Sequence, residues 1–199
     1  MDYVYYGLLW FSFGFLHSIL ARENVKSILA PFFGKTYRLS YNLFSVFHIG
    51  LIYFIGLLIF RDPYSFQYNH FFDFFLYSVQ IIGVVALILA LRTYNLGFFS
   101  GMKQLSGGNE ATEVKLTFSF YHHFVRHPLY TASFLILWGN VRSDFDLMNA
   151  MYGSVYLIIG TFFEERQLVR TFGHPYQEYR KRVPVFIPYK GKCDLSGLL

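Results

Sequence analysis

Apolar stretches separated by short charged segments run along most of the 199-residue chain. Three of them approach the ~20 residues that an α-helix needs to cross a hydrocarbon core about 30 Å thick. They cover residues 3–21, 41–60 and 72–91. The pattern therefore predicts three transmembrane helices in the first half of the chain.

Two further apolar stretches lie at residues 129–138 and 147–163. The first is short for a full span at ~1.5 Å of rise per residue, and a polar turn at residues 139–146 separates it from the second. We therefore predict a helical hairpin here. The expected fold class is all-α: a polytopic membrane protein of about five transmembrane helices, the last two forming a hairpin, followed by a cytoplasmic C-terminal interfacial segment.

The basic residues give this topology an orientation. With the N-terminus outside, 15 of the 17 lysines and arginines fall on the inner side, and only Arg61 and Arg142 lie outside. This is the positive-inside pattern of membrane proteins. Orientation and attraction to anionic headgroups then explain the formal net charge of +5. We expect membrane lipids as partners and no nucleic acid.

The composition changes this picture little. Hydrophobic residues make up 54% of the chain and charged residues 15%, whereas soluble domains carry about 25% charged residues. The single cysteine, Cys193, excludes an internal disulfide framework and a cysteine-rich metal site. No basic region precedes the first apolar stretch, so we expect a retained span and no cleaved signal peptide. A turn is predicted at residues 106–110, in the least apolar inner loop.

Polar residues that suggest chemistry cluster at the predicted inner ends of the spans. Pro128 suits the first turn of a helix, where its missing N–H costs nothing. Arg126 and His127 would then lie beside the free N–H groups of the helix start, which bind anions such as carboxylates. The alternative is an interfacial anchor for the helix end.

Two adjacent carboxylates, Glu164 and Glu165, follow the fifth apolar stretch directly. Carboxylates at a membrane boundary are costly unless paired. The residues four positions later are Leu168 and Val169, so neither carboxylate has a helical cation partner there. We expect Arg126, or an amine or ribose hydroxyl of a ligand, to pair with them. The alternative is a stop-transfer flank exposed to water.

The last polar group begins at Gly173, which suits a helix C-cap. A basic and aromatic stretch follows it and ends at Pro184 and Pro188. Such a stretch is typical of a segment that lies in the membrane interface.

Together these groups resemble the integral membrane methyltransferases, which include isoprenylcysteine carboxyl methyltransferase, the phospholipid methyltransferases, methanethiol S-methyltransferase and nurim. The family order is Arg-His-Pro-x-Tyr, Glu-Glu-Arg, Phe-Gly-x-x-Tyr-x-x-Tyr, a basic cluster and Val-Pro-x-x-Ile-Pro. The chain carries these motifs at residues 126–130, 164–166, 172–179, 180–182 and 183–188. Residues 16–22, 37–41 and 99–105 further resemble the methanethiol methyltransferase and nurim branch.

The resemblance implies a single membrane domain over residues 1–199. Residues 1–92 would form the first three spans, and residues 93–199 a methyltransferase core that binds S-adenosylmethionine under the C-terminal segment. The cofactor-binding residues that it implies are Gln104, Arg126, His127, Tyr130, Glu164, Glu165, Tyr176 and Tyr179. No metal site is expected.

The implied reaction is methyl transfer from S-adenosylmethionine to a small or lipophilic acceptor, either a thiol or an isoprenylcysteine carboxylate. Arg126 is expected to bind the methionine carboxylate, and Glu164 or Glu165 the amino group or the ribose. No catalytic residue is assigned. The candidate bases for a thiol are His17, His122 and His123. The site would face the cytoplasm, across a bacterial inner membrane or the endoplasmic reticulum or nuclear envelope.

Other functions stay open at this point. Within the family these are N-methylation of phospholipid amines and a non-catalytic, nurim-like role, the latter because His122 and His123 replace a Tyr-Arg-Tyr run. A di-iron oxygenase is disfavoured, because the chain has one histidine-rich run and no Glu-x-x-His pair. An NADPH-dependent reductase is disfavoured, because the glutamate pair would repel phosphates. A Rossmann-type methyltransferase is excluded, because no Gly-x-Gly-x-x-Gly fingerprint is present.

Overall fold

The computed structural model describes residues 1–106, 116, 118–195 and 197. Over these residues the chain is helical without strands, apart from one isolated bridge between Ser65 and Ser143. The predicted turn at residues 106–110 lies outside the described residues beyond Ser106. The α-helices are α1 (Asp2–Leu20), α2 (Glu23–Phe33), α3 (Tyr37–Ile59), α4 (His70–Leu91), α5 (Leu96–Ser100), α6 (Met102–Leu105), α7 (Pro128–Gly139), α8 (Asp144–Phe172) and α9 (His174–Arg182). Short 3-10 turns occur at Gly34–Thr36 and Phe120–His123.

Three segments of the described chain are long and apolar enough to cross a membrane. They are Asp2–Leu20, Pro31–Ile59 and His70–Leu91, which confirms the three long apolar helices predicted in the first half. Helix α7 is apolar but has only 12 residues, and α8 has 29 residues and continues through the glutamate pair. A short connection at residues 140–143 joins these two helices, and they pack against each other. The membrane crossing of α7 and α8 stays a prediction.

A hydrophobic cluster joins α1, α3 and α8 at the predicted outer side. It consists of Tyr6, Phe13, Ile52, Phe60 and Phe145, all buried. The Tyr6 hydroxyl donates to Asn149 Oδ1 at 2.6 Å, so this buried polar contact is satisfied. Most large apolar side chains elsewhere on α1, α3 and α4 are exposed, as expected of surfaces that face lipid.

Helices α4 and α7 approach each other through glycines. A Cβ atom at Gly83 would lie 2.8 Å from both the backbone nitrogen of Ile136 and the Cβ of Leu135, and one at Gly139 would lie 2.5 Å from the backbone nitrogen of Gln80. The two backbones are therefore in direct contact, and this contact fixes the second half of α7 against the middle of α4.

The inner loop that carries α5 and α6 is fixed to the start of α3. Gly101 has a φ of +92°, and a Cβ there would lie 2.6 Å from the Leu39 backbone nitrogen. The Asn42 amide donates to the carbonyls of Phe99 and Ser100, at 3.0 Å each. Gln104 on α6 is buried and donates to the Phe98 carbonyl at 3.4 Å.

The glycine contact predicts opposite effects of one substitution at two positions. Gly83→Ala places a methyl group against a backbone that must shift, which costs about 1–3 kcal/mol. Gly50→Ala on α3 meets nothing within 4 Å, and alanine favours the helix by about 1 kcal/mol. We expect the melting temperature in detergent to fall for the first variant and to stay level or rise for the second. Equal shifts of the melting temperature in the two variants would refute the close contact between α4 and α7.

Candidate active site

A cavity of about 230 Å³ lies at the predicted inner end of the helices. The start of α7, the last turns of α8 and helix α9 form most of its wall. Six of the eight predicted cofactor-binding residues line it together. The lining residues are Tyr94, Leu116, Phe118, His122, Arg126, His127, Pro128, Leu129, Tyr130, Glu164, Leu168, Phe172, Tyr176 and Tyr179.

The turn before α7 also holds the chain that follows α9. Pro128 occupies the first turn of α7 and His127 the N-cap, as the sequence predicts. The backbone N–H of Arg126 donates to the Pro184 carbonyl at 2.9 Å, and that of His127 to the Val185 carbonyl at 3.2 Å. We call residues 183–186 the closing segment, because this pairing holds them beside the cavity.

The Arg126 side chain adds a second set of bonds to the same region. Its Nε donates to Glu165 Oε1 at 2.6 Å, and its Nη1 donates to the carbonyls of Val183 and Arg180 at 2.6 and 3.0 Å. Only 8% of the side chain is exposed. Two of the three guanidinium nitrogens are therefore engaged by the protein, although the residue lines the cavity.

Glu165 accepts from three basic side chains. Besides Arg126, Arg180 Nε lies 3.1 Å from Oε2 and His127 Nε2 lies 3.3 Å from Oε1. The side chain is 10% exposed. Burial by itself would raise the pKa of this carboxyl, but hydrogen bonds from His127 and Arg126 outweigh it and lower the pKa to about 2. The ionised form therefore stabilises the fold above the ordinary pKa of 4.5, and this contribution is lost as the pH falls towards 2.

His127 lies between the two glutamates. Its Nδ1 is 3.5 Å from Glu164 Oε2, and its Nε2 faces Glu165. Burial disfavours the imidazolium, but the hydrogen bonds to both carboxylates more than compensate and raise the pKa of His127 above its ordinary value. Both ring nitrogens then act as donors, and the imidazolium links the two acidic side chains.

Glu164 differs from its neighbour in where it points. Its side chain is 45% exposed, and it lines the cavity together with Tyr130 and Tyr94. Burial is the largest effect on its pKa and would raise it, but hydrogen bonds from His127 and Tyr130 lower the pKa overall. Among the described lining residues it is the one carboxylate, and it is ionised at neutral pH.

Tyr176 and Tyr179 attach α9 to the body of the protein. Both are buried in a cluster with Val183 and Leu195. The Tyr179 hydroxyl donates to the His122 carbonyl at 2.9 Å, and its ring lies 4.3 Å from that of Phe118. Gly173, with a φ of +59°, makes the turn from α8 into α9, as predicted for a C-cap.

The three candidate bases are all engaged in hydrogen bonds. His122 lines the cavity, but its Nδ1 accepts the Ser119 N–H at 3.2 Å, and burial lowers its pKa. His123 donates its Nδ1–H to the Cys193 carbonyl at 2.9 Å. His17 lies between α1 and α3, with its Nε2 2.8 Å from the Tyr41 hydroxyl, and is not part of the cavity wall.

The residues that line the cavity differ from the predicted set in two ways: two predicted residues do not line it, and some lining residues were not predicted. Gln104 is absent from the lining, and Glu165 lies behind it. Tyr94 and Phe118 belong to the wall although sequence analysis did not single them out, because nothing distinguishes them among 17 tyrosines and 25 phenylalanines. Arg180 was seen only as part of a basic cluster. Within the described residues, no group of three or more His, Cys, Asp or Glu side chains is arranged to hold a metal ion.

Removal of the Glu165 charge should weaken the attachment of α9 to the rest of the protein. Glu165→Gln leaves two arginines and His127 without their shared anion, and breaking a buried pair in this way costs about 3–5 kcal/mol. We expect a lower melting temperature and faster proteolysis within residues 174–186. Glu178→Gln is the control, because its contact with Lys181 (2.6 Å) is on the surface and such pairs contribute little. Equal behaviour of both variants would contradict this assignment.

The raised pKa of His127 predicts a loss of stability at alkaline pH. The imidazolium stabilises the fold fully below its ordinary pKa of 6.5, and this contribution disappears as the pH rises through the raised value. His127→Gln should therefore be less stable than the wild type at pH 6, with the difference shrinking above neutrality. Melting temperatures from pH 5.5 to 9 measure this difference, and a difference that does not change with pH would exclude the charged bridge.

Comparison with known proteins finds relatives that carry the same name. The chain is 29% identical over 189 residues to methanethiol S-methyltransferase of Crocosphaera subtropica, an alignment that covers 90% of this chain and 72% of that protein. It is 27% identical over 196 residues to methanethiol S-methyltransferase 1 of Bradyrhizobium diazoefficiens, covering 92% of this chain and 66% of that protein. No family model matches the chain, and no solved structure matches it. These alignments confirm the resemblance that the motifs predict: the chain is a homologue of proteins named methanethiol S-methyltransferase.

Proposed function

We propose that the protein is an integral membrane enzyme that transfers a methyl group from S-adenosylmethionine to the sulfur of a small thiol. The names of its relatives support the reaction class. The observation that carries the proposal is the division between the two glutamates. The Glu165 carboxylate is paired with protein cations that hold α9 and the closing segment, whereas Glu164 is ionised and faces the cavity.

The cavity walls fit the chemistry of S-adenosylmethionine. Aromatic rings at the α9 end, from Phe118, Phe172 and Tyr176, match an adenine ring. A sulfonium cation is suited to aromatic faces and to a nearby carboxylate, and Tyr94, Tyr130 and Glu164 provide both. The volume of about 230 Å³ is just below the roughly 300–1,000 Å³ of pockets for drug-sized ligands, so it leaves little room for an acceptor beside the cofactor.

Two parts of the cavity would bind different groups of the cofactor. Glu164 would bind the amino group or the ribose hydroxyls. At the start of α7, helix geometry leaves the N–H groups of Leu129 and Tyr130 without intrahelical partners, and they would bind the methionine carboxylate together with Arg126. Since Nε and Nη1 of Arg126 are already engaged, this arginine contributes mainly positive charge and the placement of the turn.

When bound, S-adenosylmethionine supplies an electrophilic methyl group, and the protein has to position the partners and keep water away. Helix α9 closes one side of the cavity, where Tyr176 and Tyr179 line it, and the closing segment is held beside it by Arg126 and His127. A thiolate is the nucleophile that such a methyl group requires. Attack of an anion on a cation neutralises charge, and a dry site therefore favours it.

The acceptor and the setting follow from the relatives and the charge pattern. A thiol agrees with the names of the relatives, and nothing favours a phospholipid amine, an isoprenylcysteine carboxylate or a non-catalytic role. We place the site on the cytoplasmic side, because the positive-inside pattern puts the inner ends of α4 and α8 there. Residues 93–199 would form the cofactor-binding core, and the three spans of residues 1–92 would hold it in the membrane.

Cofactor binding tests the proposal directly. We expect saturable S-adenosylmethionine binding to the purified protein by calorimetry. Glu164→Gln should weaken it by about tenfold or more, because a hydrogen bond to a charged group contributes about 1.5–3 kcal/mol. Glu178→Gln should leave the affinity unchanged. Methanethiol added to the loaded protein should yield dimethyl sulfide by gas chromatography. Absence of S-adenosylmethionine binding to the folded protein would refute the proposal.

A further inference from the structure

One row of side chains on α8 leads to Glu164 from the membrane. Its members, four residues apart, are Tyr152, Tyr156, Gly160 and Glu164. The Tyr152 ring fills the space at Gly7 of α1, lying 3.0 Å from where a Cβ would be, and Tyr156 lies 3.4 Å from a Cβ built at Gly14. At Gly160 the row changes, because a Cβ there would meet nothing within 4 Å. A gap the size of a side chain therefore lies one turn before Glu164.

This gap belongs to a groove of about 370 Å³ between α1 and α8. Its volume falls in the roughly 300–1,000 Å³ range of ligand pockets. The walls are apolar, and Phe11, Val155, Ile159 and Phe163 on its rim are exposed on a surface that we expect to face lipid. A hydrocarbon chain dissolved in the bilayer can therefore reach the groove without crossing water.

The inner end of the groove is more polar than the rest. Ser18 of α1 and Arg22, two residues beyond the end of that helix, line it together with Gly160 and Phe163 of α8. Glu164 of the cofactor cavity follows Gly160 by four residues, or about 6 Å along the helix axis. A cation at this end favours the thiolate over the thiol. The inner end of the groove thus lies about one helical turn along α8 from Glu164 of the cofactor cavity, and the cavity itself has little spare volume.

We propose that the α1–α8 groove binds the apolar chain of the methyl acceptor, so that the protein methylates alkyl thiols longer than methanethiol. This inference rests on the proposed function. The sulfur lies at the Gly160 end, towards Glu164, and the chain extends along α8 towards Tyr152. The thiol proton leaves to water at the inner end. The thiolate sulfur forms a bond to the methyl carbon as the bond from that carbon to the cofactor sulfur breaks, and the electron pair of the broken bond stays on the cofactor sulfur. The products are an alkyl methyl sulfide and S-adenosylhomocysteine.

The first test compares two glycines in lipid nanodiscs. Gly160→Leu fills the gap, whereas Gly50→Leu adds the same side chain to an open position on α3, outside the groove. For the wild type we expect turnover of both octanethiol and methanethiol. In Gly160→Leu the ratio of kcat/KM for octanethiol to that for methanethiol should fall about tenfold or more, and in Gly50→Leu it should not change. Absence of octanethiol turnover, or an unchanged ratio in Gly160→Leu, would overturn the proposal.

The second test does not depend on turnover. Trp10 lines the groove, so 8-bromooctane-1-thiol should quench tryptophan fluorescence in a saturable way. This component should be lost in Gly160→Leu and kept in Gly50→Leu. Ser18→Leu, from the α1 side, replaces Gly160→Leu should that variant not fold. Equal quenching by a brominated phospholipid would identify the groove as a lipid site and refute the proposal. Calorimetry with S-adenosylmethionine on the same samples separates this result from a failure of the proposed function, which would abolish cofactor binding in the wild type.

Discussion

A guanidinium–carboxylate contact of 2.6 Å, nearly closed to solvent, joins the turn before α7 to the inner part of α8. Removing such charges from water costs several kcal/mol for each ion, and only good geometry with further hydrogen bonds offsets that cost. Here the further bonds come from the His127 and Arg180 side chains and from the carbonyls of Arg180 and Val183. The pair therefore sets the relative positions of three segments that are far apart in sequence, and the cavity is the space that they leave between them.

Adjacent glutamates serve different purposes because a helix turns about 100° per residue. Glu165 continues the buried face of α8 that includes Leu157 and Thr161, and it meets cations of the protein. Glu164 belongs to the neighbouring row and meets the cavity. The same row passes Gly160 and the groove, so one helix face would organise both the proposed cofactor site and the proposed acceptor site. His127 couples the two carboxylates and makes the charge of the site depend on one imidazole.

Local chemistry made part of this arrangement predictable. Proline suits the first turn of a helix and glycine suits the C-cap, and Pro128 and Gly173 occupy those positions. The spans of α1, α3 and α4 follow from apolar length alone. The choice between Glu164 and Glu165 depends on which face α8 packs against, which is a tertiary property. Gln104 lies outside the cavity wall for a related reason: its loop packs on the start of α3 through Gly101 and Asn42, a contact without a sequence pattern.

The pairing of residues 183–186 with Arg126 and His127 has a consequence for biosynthesis. A chain is made from its N-terminus and inserts its helices in that order, so α8 is complete before α9 and the closing segment have been synthesised. Until they dock, the Arg126 guanidinium lacks the carbonyls of Arg180 and Val183, and the cavity lacks the wall that Tyr176 and Tyr179 form. An unfinished chain would therefore sit in the membrane with the proposed cofactor site open on one side until translation has passed the closing segment.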